Sequence, residues 1–339
     1  MAVEKVLLAA PRGFCAGVEM AIKALAWMVK VFEPPVYCYH EIVHNRLVVD
    51  RFRDLGVVFV DDVTTVPEGA PLMLSAHGSA PEVVAAARAN GGFVVDAVCP
   101  LVTKVHHEVK VRAGKGYTVL YVGHQGHDEA VGTMAVAPES IELVESESDV
   151  DKLPAELGPV ALLAQTTLSH HDWAGVLAAA RERYPELWVP GRSDLCFATT
   201  NRQSALTEIA ARAAAIVVIG SANSSNTVAL AKVAEATGCP RVYRVNHADE
   251  VPADLSGVVG VTAGASAPEE LVDAVIARLA PAQGVEEVRV TEEDEYFPPP
   301  RELRRLLGDE ALADDRHTAA SDVLAALRAP APEGTPASP

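Results

Sequence analysis

Residues 94–109 read VVDAVCPLVTKVHHEV. The apolar run Val94–Val98 ends at Cys99, Pro100 follows, and apolar residues then recur at Val102, Val105 and Val109. This pattern predicts a strand running into a helix, with proline in the first helical turn, where its missing N–H breaks no hydrogen bond. A cysteine stands at the turn between them. Two other stretches read the same way. VLLAAPRGFCAGVEMAIKAL does so around Cys15, with Val18, Ile22, Leu25, Val29 and Phe32 on one helical face, and LWVPGRSDLCFATTNRQSAL does so around Cys196. Thr103 and Thr200 hold the same place after their cysteines, where the first copy has Glu19.

The segments downstream of the three cysteines repeat as well. A polar loop opens a helix in YHEIVHNR (His44), VGHQGHDE (His127) and IGSANSSN (Ser224, Ser225). A second polar loop lies between a short apolar strand and a helix in LMLSAHGSAPE, LLAQTTLSHHD and GVTAGASAPEE, each with Ser or Thr placed as a helix N-cap. The chain therefore carries an internal threefold repeat of roughly 85–100 residues. Alternating strands and helices predict α/β structure with largely parallel sheets, in which ligands sit beyond the carboxyl ends of the strands. The expected architecture is three pseudo-symmetric α/β lobes, a trefoil, whose loops converge on one central cavity. The lobes are 14–98, 99–195, and 1–13 with 196–290, because strand Val3–Ala10 has no helix before it and completes the third unit. Residues 291–339 remain as a C-terminal segment with a partly disordered tail, rich in Ala and Pro.

Composition narrows the function. The 339 residues are 49% apolar and 22% charged, as in a globular chain with a large core. No apolar run reaches the ~18 residues of a membrane span, and the N-terminus has too little basic flank for a signal peptide, so a cytoplasmic protein is expected. A net charge of −18 argues against nucleic acid or an anionic membrane as partner. TEEDEYF and GDEALADD near the C-terminus concentrate acidic residues.

There are five cysteines, Cys15, Cys38, Cys99, Cys196 and Cys239, with no CxxC pair. An odd number at wide spacing argues against a disulfide framework and a zinc ribbon. Cys38 and Cys239 lie off the repeat and read as structural. Cys15, Cys99 and Cys196, equivalent in three units, point to a shared metal or cluster site. Zinc takes four protein ligands, or three and a water. A cubane iron–sulfur cluster takes one thiolate per iron, so three cysteines leave one iron of a [4Fe-4S] cluster open as a Lewis acid. Among the histidines, His106, His107, His170 and His171 read as packing or surface residues. The small, hydroxyl-rich loops at helix N-termini suit phosphate oxygens. His44, His77, His127, Ser224, Ser225, Asn226 and Ser266 together could wrap a diphosphate. Glu129, two residues after His127, reads either as a first-turn residue complementing the helix dipole or as a carboxyl whose pKa the cavity raises for proton delivery.

At these residues the chain resembles the 4-hydroxy-3-methylbut-2-enyl diphosphate reductases, the IspH or LytB family. The resemblance runs from about Val6 to Arg304 through PRGFCAGV, HEIVHN, SAHG, CPLVTKVH, GHQGHDEAVGTM, QTTLS, CFATTNRQ, SANSSN and TAGASAP. It implies a [4Fe-4S] cluster held by Cys15, Cys99 and Cys196 at the centre of a three-lobed fold. It also implies diphosphate contacts from His44, His77, His127, Ser224, Ser225, Asn226 and Ser266, proton relay by Glu129, and Thr166 near the substrate hydroxyl. The reaction implied is reductive dehydroxylation of (E)-4-hydroxy-3-methylbut-2-enyl diphosphate to isopentenyl and dimethylallyl diphosphate, with electrons from ferredoxin or flavodoxin. Two other classes compete. A hydro-lyase uses a similar open iron but no electron donor. An iron–sulfur carrier or sensor has no use for Glu129 or the seven anion contacts.

Overall fold

The computed structural model of the protein describes residues 2–313 and 315–327. In chain order its elements are β1 (Val3–Ala10), α1 (Ala16–Val31), β2 (Val36–Tyr39), α2 (Arg46–Asp54), β3 (Val57–Val60), β4 (Leu72–Leu74), α3 (Pro81–Ala89) and β5 (Val94–Asp96). Next come α4 (Pro100–Gly114), β6 (Thr118–Val122), α5 (Asp128–Met134), β7 (Ile141–Val144), α6 (Glu147–Lys152), β8 (Val160–Ala164) and α7 (His170–Arg183). The chain then forms α8 (Phe197–Ala210), β9 (Ala215–Ile219), α9 (Ser225–Ala236), β10 (Val242–Val245), β11 (Gly257–Ala263), α10 (Glu269–Leu279) and β12 (Val285–Arg289). It closes with α11 (Arg301–Ala311) and α12 (Ala320–Ala326).

The strands form three sheets, ordered β3-β2-β4-β5, β7-β6-β8 and β10-β9-β11-β1-β12. Every pairing is parallel. The first strand lies inside the third sheet, where Val6 is in register with Val259 on one side and Val285 on the other. Strands covered on both faces need apolar residues throughout, and β8, VALLA, and β9, AIVVI, are buried at every position. The architecture is thus three α/β lobes, one per sheet.

Three local features depart from the sequence reading. First, β5 stops at Asp96 instead of Val98, because the Asp96 carboxylate accepts the Val98 N–H at 3.1 Å and turns the chain. Second, the stretch before Cys196 is reduced to one bridge between Trp188 and Ala161. Pro190 cannot donate to a ladder, and Gly191 follows it. Third, Ser169 alone of the three second-loop residues caps its helix, accepting the Asp172 N–H at 3.0 Å. Helix α3 starts from Ala80 and α10 from Pro268, neither with a side-chain cap. Pro81 at the first helical position sets the start of α3 and leaves Ser79 outside it.

Beyond residue 300 the described chain folds back onto the first lobe. Leu303, Ala320 and Leu324 are fully buried in the same apolar cluster as Ile22, Leu25 and Met28 of α1. Of the C-terminal segment 291–339, expected to end in a partly disordered tail, residues 328–339 lie outside the described residues. No helix among the described residues is long and apolar enough to cross a membrane.

Candidate active site

Each of the three repeat cysteines is the N-cap residue of a helix: Cys15 of α1, Cys99 of α4 and Cys196 of α8. Their backbone N–H groups are anchored in the same way. Cys99 N–H donates to Ala76 O at 3.0 Å, Cys196 N–H to Thr166 O at 3.1 Å and Cys15 N–H to Ala265 O at 3.2 Å. Those acceptors stand at one equivalent place in SAHG, QTTLS and TAGASAP, the second residue after the strand. All three cysteines line one cavity of about 650 Å³, its open mouth included. Gly17 is required by that arrangement, since a Cβ there would lie 2.8 Å from the Cys99 sulfur and 4.0 Å from that of Cys15.

The donor set suits a bound cation. Burial, together with the Cys15 thiol beside it, pushes the Cys99 thiol up to about 12. Burial and Cys15 likewise push Cys196 up to about 11, against the hydrogen bonds of Thr199. Buried thiols such as Cys99 and Cys196 ionise together only when positive charge shares their space, as in a thiolate-ligated iron or zinc site. The Cys196 sulfur also accepts the Thr199 N–H at 3.3 Å and lies 3.1 Å from the Thr199 hydroxyl.

A second wall of the cavity is made of histidines. The rings of His44 and His77 stack at 3.9 Å, and His127 meets them edge-on at 5.2 and 6.0 Å. His44 Nε2 and His77 Nδ1 are buried without a hydrogen-bond partner within the protein. Such orphaned nitrogens are costly unless a ligand meets them. Burial, with His44 next to it, lowers His127 to about 4, and the same causes lower His77 well below the usual value. His127 caps α5 through Nδ1, which accepts the Glu129 N–H at 3.1 Å. A neutral His127 ring therefore carries its proton on Nε2.

On the third side stand Ser224, Ser225, Asn226 and Ser266. Ser224 caps α9. Ser266 donates to His44 O at 3.0 Å and lies 3.4 Å from the Ser224 hydroxyl, so it ties the histidine loop to the serine loop. Ser225 accepts from the Gln165 amide at 3.0 Å. Asn226 uses both ends of its amide inside the protein. Its oxygen accepts the Ala265 N–H at 2.9 Å, and its nitrogen donates to Thr199 at 3.3 Å.

Glu129 is 2% exposed and lies within the first turn of α5. One carboxyl oxygen accepts the Thr166 N–H at 2.7 Å, and the other accepts the Thr166 hydroxyl at 2.9 Å. Burial outweighs those two bonds and raises its pKa to about 7. At neutral pH the site thus contains a carboxyl that still holds a proton for part of the time. Gly132 lets α5 approach closely, because a Cβ there would lie 2.8 Å from Gly78 O of the His77 loop.

Cys15, Cys99, Cys196, His44, His77, His127, Glu129, Thr166, Ser224, Ser225, Asn226 and Ser266 all border this one cavity. Cys38 is fully buried in β2, and Cys239 packs on the apolar core of the third lobe. His107, His170 and His171 are exposed, and His106 is half-buried. Thr167 and Thr199 also line the cavity and were not singled out from the sequence. Thr167 could have been found by aligning the second loops, where it stands in the place of His77 and Ser266. Asp128 was missed as well. Its carboxylate lies 2.8 Å from His40 Nδ1, 3.7 Å from His77 Nδ1 and 3.8 Å from His44 Nε2.

Comparison with known proteins adds an independent line. Residues 6–280 match the family described as LytB protein. The chain is 48% identical over 315 residues to the 4-hydroxy-3-methylbut-2-enyl diphosphate reductase of Rhodopirellula baltica, covering 91% of this chain and 98% of that one. It is 46% identical over 308 residues to the enzyme of the same name from Leifsonia xyli, covering 89% and 91%. Among solved structures it is similar to E-1-hydroxy-2-methyl-but-2-enyl-4-diphosphate reductase from Plasmodium falciparum, with a TM-score of 0.86 and 30% identity over 91% of this chain and 99% of that one.

Proposed function

The chain belongs to the LytB family, and from that premise we propose that it reductively removes the hydroxyl of (E)-4-hydroxy-3-methylbut-2-enyl diphosphate. The products are isopentenyl and dimethylallyl diphosphate, the last step of the methylerythritol phosphate route. It is an oxidoreductase, and the family is one of iron–sulfur enzymes. The observation that carries the reading is the content of one cavity: three thiols, a histidine wall with two buried ring nitrogens lacking a hydrogen-bond partner within the protein, and a buried carboxyl titrating near neutrality.

Cys15, Cys99 and Cys196 hold a [4Fe-4S] cluster in this reading. The cluster, when bound, supplies low-potential electrons and one open Lewis-acidic iron. The other roles fall to the chain's own residues. His44, His77 and His127, with Ser224, Ser225 and Ser266, bind the diphosphate, and its charge favours protonated imidazoles where burial alone disfavours them. Asn226 ties the α9 N-terminus to the loop after β11 through its amide oxygen, and of the two N–H donors on its amide nitrogen one goes to Thr199 and the other serves the anion in this reading. Glu129 gives its proton to the departing oxygen, and the Thr166 hydroxyl orients that carboxyl. Two electrons and two protons turn the allylic alcohol into alkene and water. An outside carrier of the ferredoxin or flavodoxin type delivers the electrons, a partner that the family resemblance supports. The lobes 14–98, 99–195, and 1–13 with 196–290 are our division, supported by the sheet that each strand joins.

The test is anaerobic purification with an iron and sulfide count, followed by reduction of the allylic diphosphate with an artificial donor. Brown protein that loses iron in air and turns over only with reductant is expected. Stoichiometric zinc without iron after anaerobic reconstitution would overturn the cluster. Turnover that needs no reductant would make the chain a hydro-lyase.

A further inference from the structure

The acidic stretch TEEDEYF, Thr291–Phe297, has no regular secondary structure and runs between β12 and α11. A run of carboxylates is ordinarily a solvated face. Here one of them is turned inward onto Arg202, a fully buried side chain on α8. Arg202 Nη1 donates to both carboxylate oxygens of Glu293 at 3.0 Å, and Asn201 adds a bond to Glu293 at 2.9 Å. Two neighbours reinforce the docking. The Phe297 ring meets Phe197, the residue after Cys196, at 6.4 Å, and the Tyr296 hydroxyl donates to Asp315 at 3.0 Å.

The remaining donors of Arg202 go to backbone around two cysteines. Nε and Nη2 donate to Gly13 O at 3.1 and 2.9 Å, Nη2 also to Phe14 O at 3.2 Å, and Nη1 to Ala198 O at 3.0 Å. Gly13 and Phe14 directly precede Cys15, and Ala198 lies two residues after Cys196. A guanidinium has five N–H groups in a planar fork. These bonds use all five, so none is left for the Cys99 loop. A buried guanidinium without its carboxylate is costly, and Glu293 keeps the fork charged and in place.

We propose that Arg202 and Glu293 are positioning residues of the cysteine site: through them the 291–297 segment sets the loops carrying Cys15 and Cys196, and leaves the loop carrying Cys99 to its bond with Ala76. The inference rests on the reading of these cysteines as cluster ligands. It places in the C-terminal segment a part of the site that lies 91 residues from Arg202 in sequence. A thiol constellation is only as exact as the groups that hold its backbone.

The test compares the parent with Glu293→Ala and Glu293→Gln. In cluster-free protein, alkylation of Cys15 and Cys196 should become about tenfold faster in Glu293→Ala, the change that 1.4 kcal/mol of lost restraint makes. Cys99 should keep its parent rate, and Glu293→Gln should fall between. After anaerobic reconstitution, iron should pass to a chelator faster in the same order. Equal rates in all three proteins, or a rise at Cys99 as large as at Cys15, would overturn the proposal. Cys38, fully buried in β2, reports unfolding. If Glu293→Ala exposes it, Glu293→Gln decides by the same criterion. The alkylation needs no iron, so a parent that binds none sinks the cluster while the labelling pattern still decides the positioning.

Discussion

Asp128 and Glu129 are consecutive carboxylic acids in the first turn of one short helix, and the protein drives them in opposite directions. Both lose water, which favours the protonated acid. At Asp128 the hydrogen bond from His40 and the charges of His77, His40 and His44 outweigh burial and hold the group down at about 2. At Glu129 the only compensation comes from the Thr166 N–H and hydroxyl, burial wins, and the group rises to about 7. One wall of the cavity therefore keeps a fixed negative charge behind the histidines, and the other keeps a transferable proton. The side-chain chemistry is the same, and the environment sets the role.

The sharpest way to break this contrast is Glu129→Gln, which keeps size and hydrogen bonding but removes the acid. Turnover should fall by about 10²–10⁴, the usual worth of a general acid, at unchanged iron content. Steady-state reduction with a parallel iron count decides it. Parent turnover should itself decline as pH rises through about 7, where Glu129 loses its proton. A rate that stays level to pH about 9 would move the proton source elsewhere.

The same substitution has a stability signature. The folded pKa of Glu129 lies above the ordinary value of 4.5, so the parent binds more protons folded than unfolded between 4.5 and about 7. Its stability must fall as pH rises across that window, by on the order of 3 kcal/mol at most. Glu129→Gln removes this slope. Denaturant melts of cluster-free parent and variant at both ends of the window measure it, and parallel pH curves would show that Glu129 is not shifted.

On the histidine wall, His44→Ala, His77→Ala and His127→Ala should each weaken diphosphate binding by about ten- to a hundredfold, from ~1.5–3 kcal/mol per charge-assisted hydrogen bond. Calorimetry with inorganic diphosphate or substrate reads it, and unchanged affinity in all three variants would remove the anion assignment. Asp128→Asn should act least. Without the carboxylate that works against burial to raise His77 and His127, anion binding should fade at lower pH than in the parent. It should be a few-fold weaker at neutral pH and approach parent affinity only as pH falls toward about 4, where the His127 ring gains its proton. A variant with the parent's pH profile would leave Asp128 no part in the histidine charge.

Much of this layout is legible in the residues alone. A strand period followed by a helix period marks each cysteine turn, and the serial recurrence of Cys15, Cys99 and Cys196 argues for a ring of three units. The misreadings also have local causes. LWVPGRSDLC looks like strand until Pro190 and Gly191 are allowed to interrupt the ladder. Ser79 and Ser266 look like caps until Pro81 and Pro268 move the helix starts past them. Thr199, three residues after Cys196, resembles any helix-opening threonine, and only its distance to the sulfur distinguishes it.

What the sequence determined by itself is whatever depends on neighbours along the chain: apolar period, helix starts, and the placing of thiols and hydroxyls at helix N-termini. What only the tertiary structure decided is which of those groups share a space and in what electrical state. Nothing near Glu129 in sequence announces Thr166, 37 residues away, whose N–H and hydroxyl hold the carboxyl. Nothing near Asp128 announces that His40, His44 and His77 from another lobe will surround it. Nothing near Arg202 announces Glu293. Periodicity is a property of one segment, whereas burial and charge pairing arise when segments far apart in the chain exclude water together.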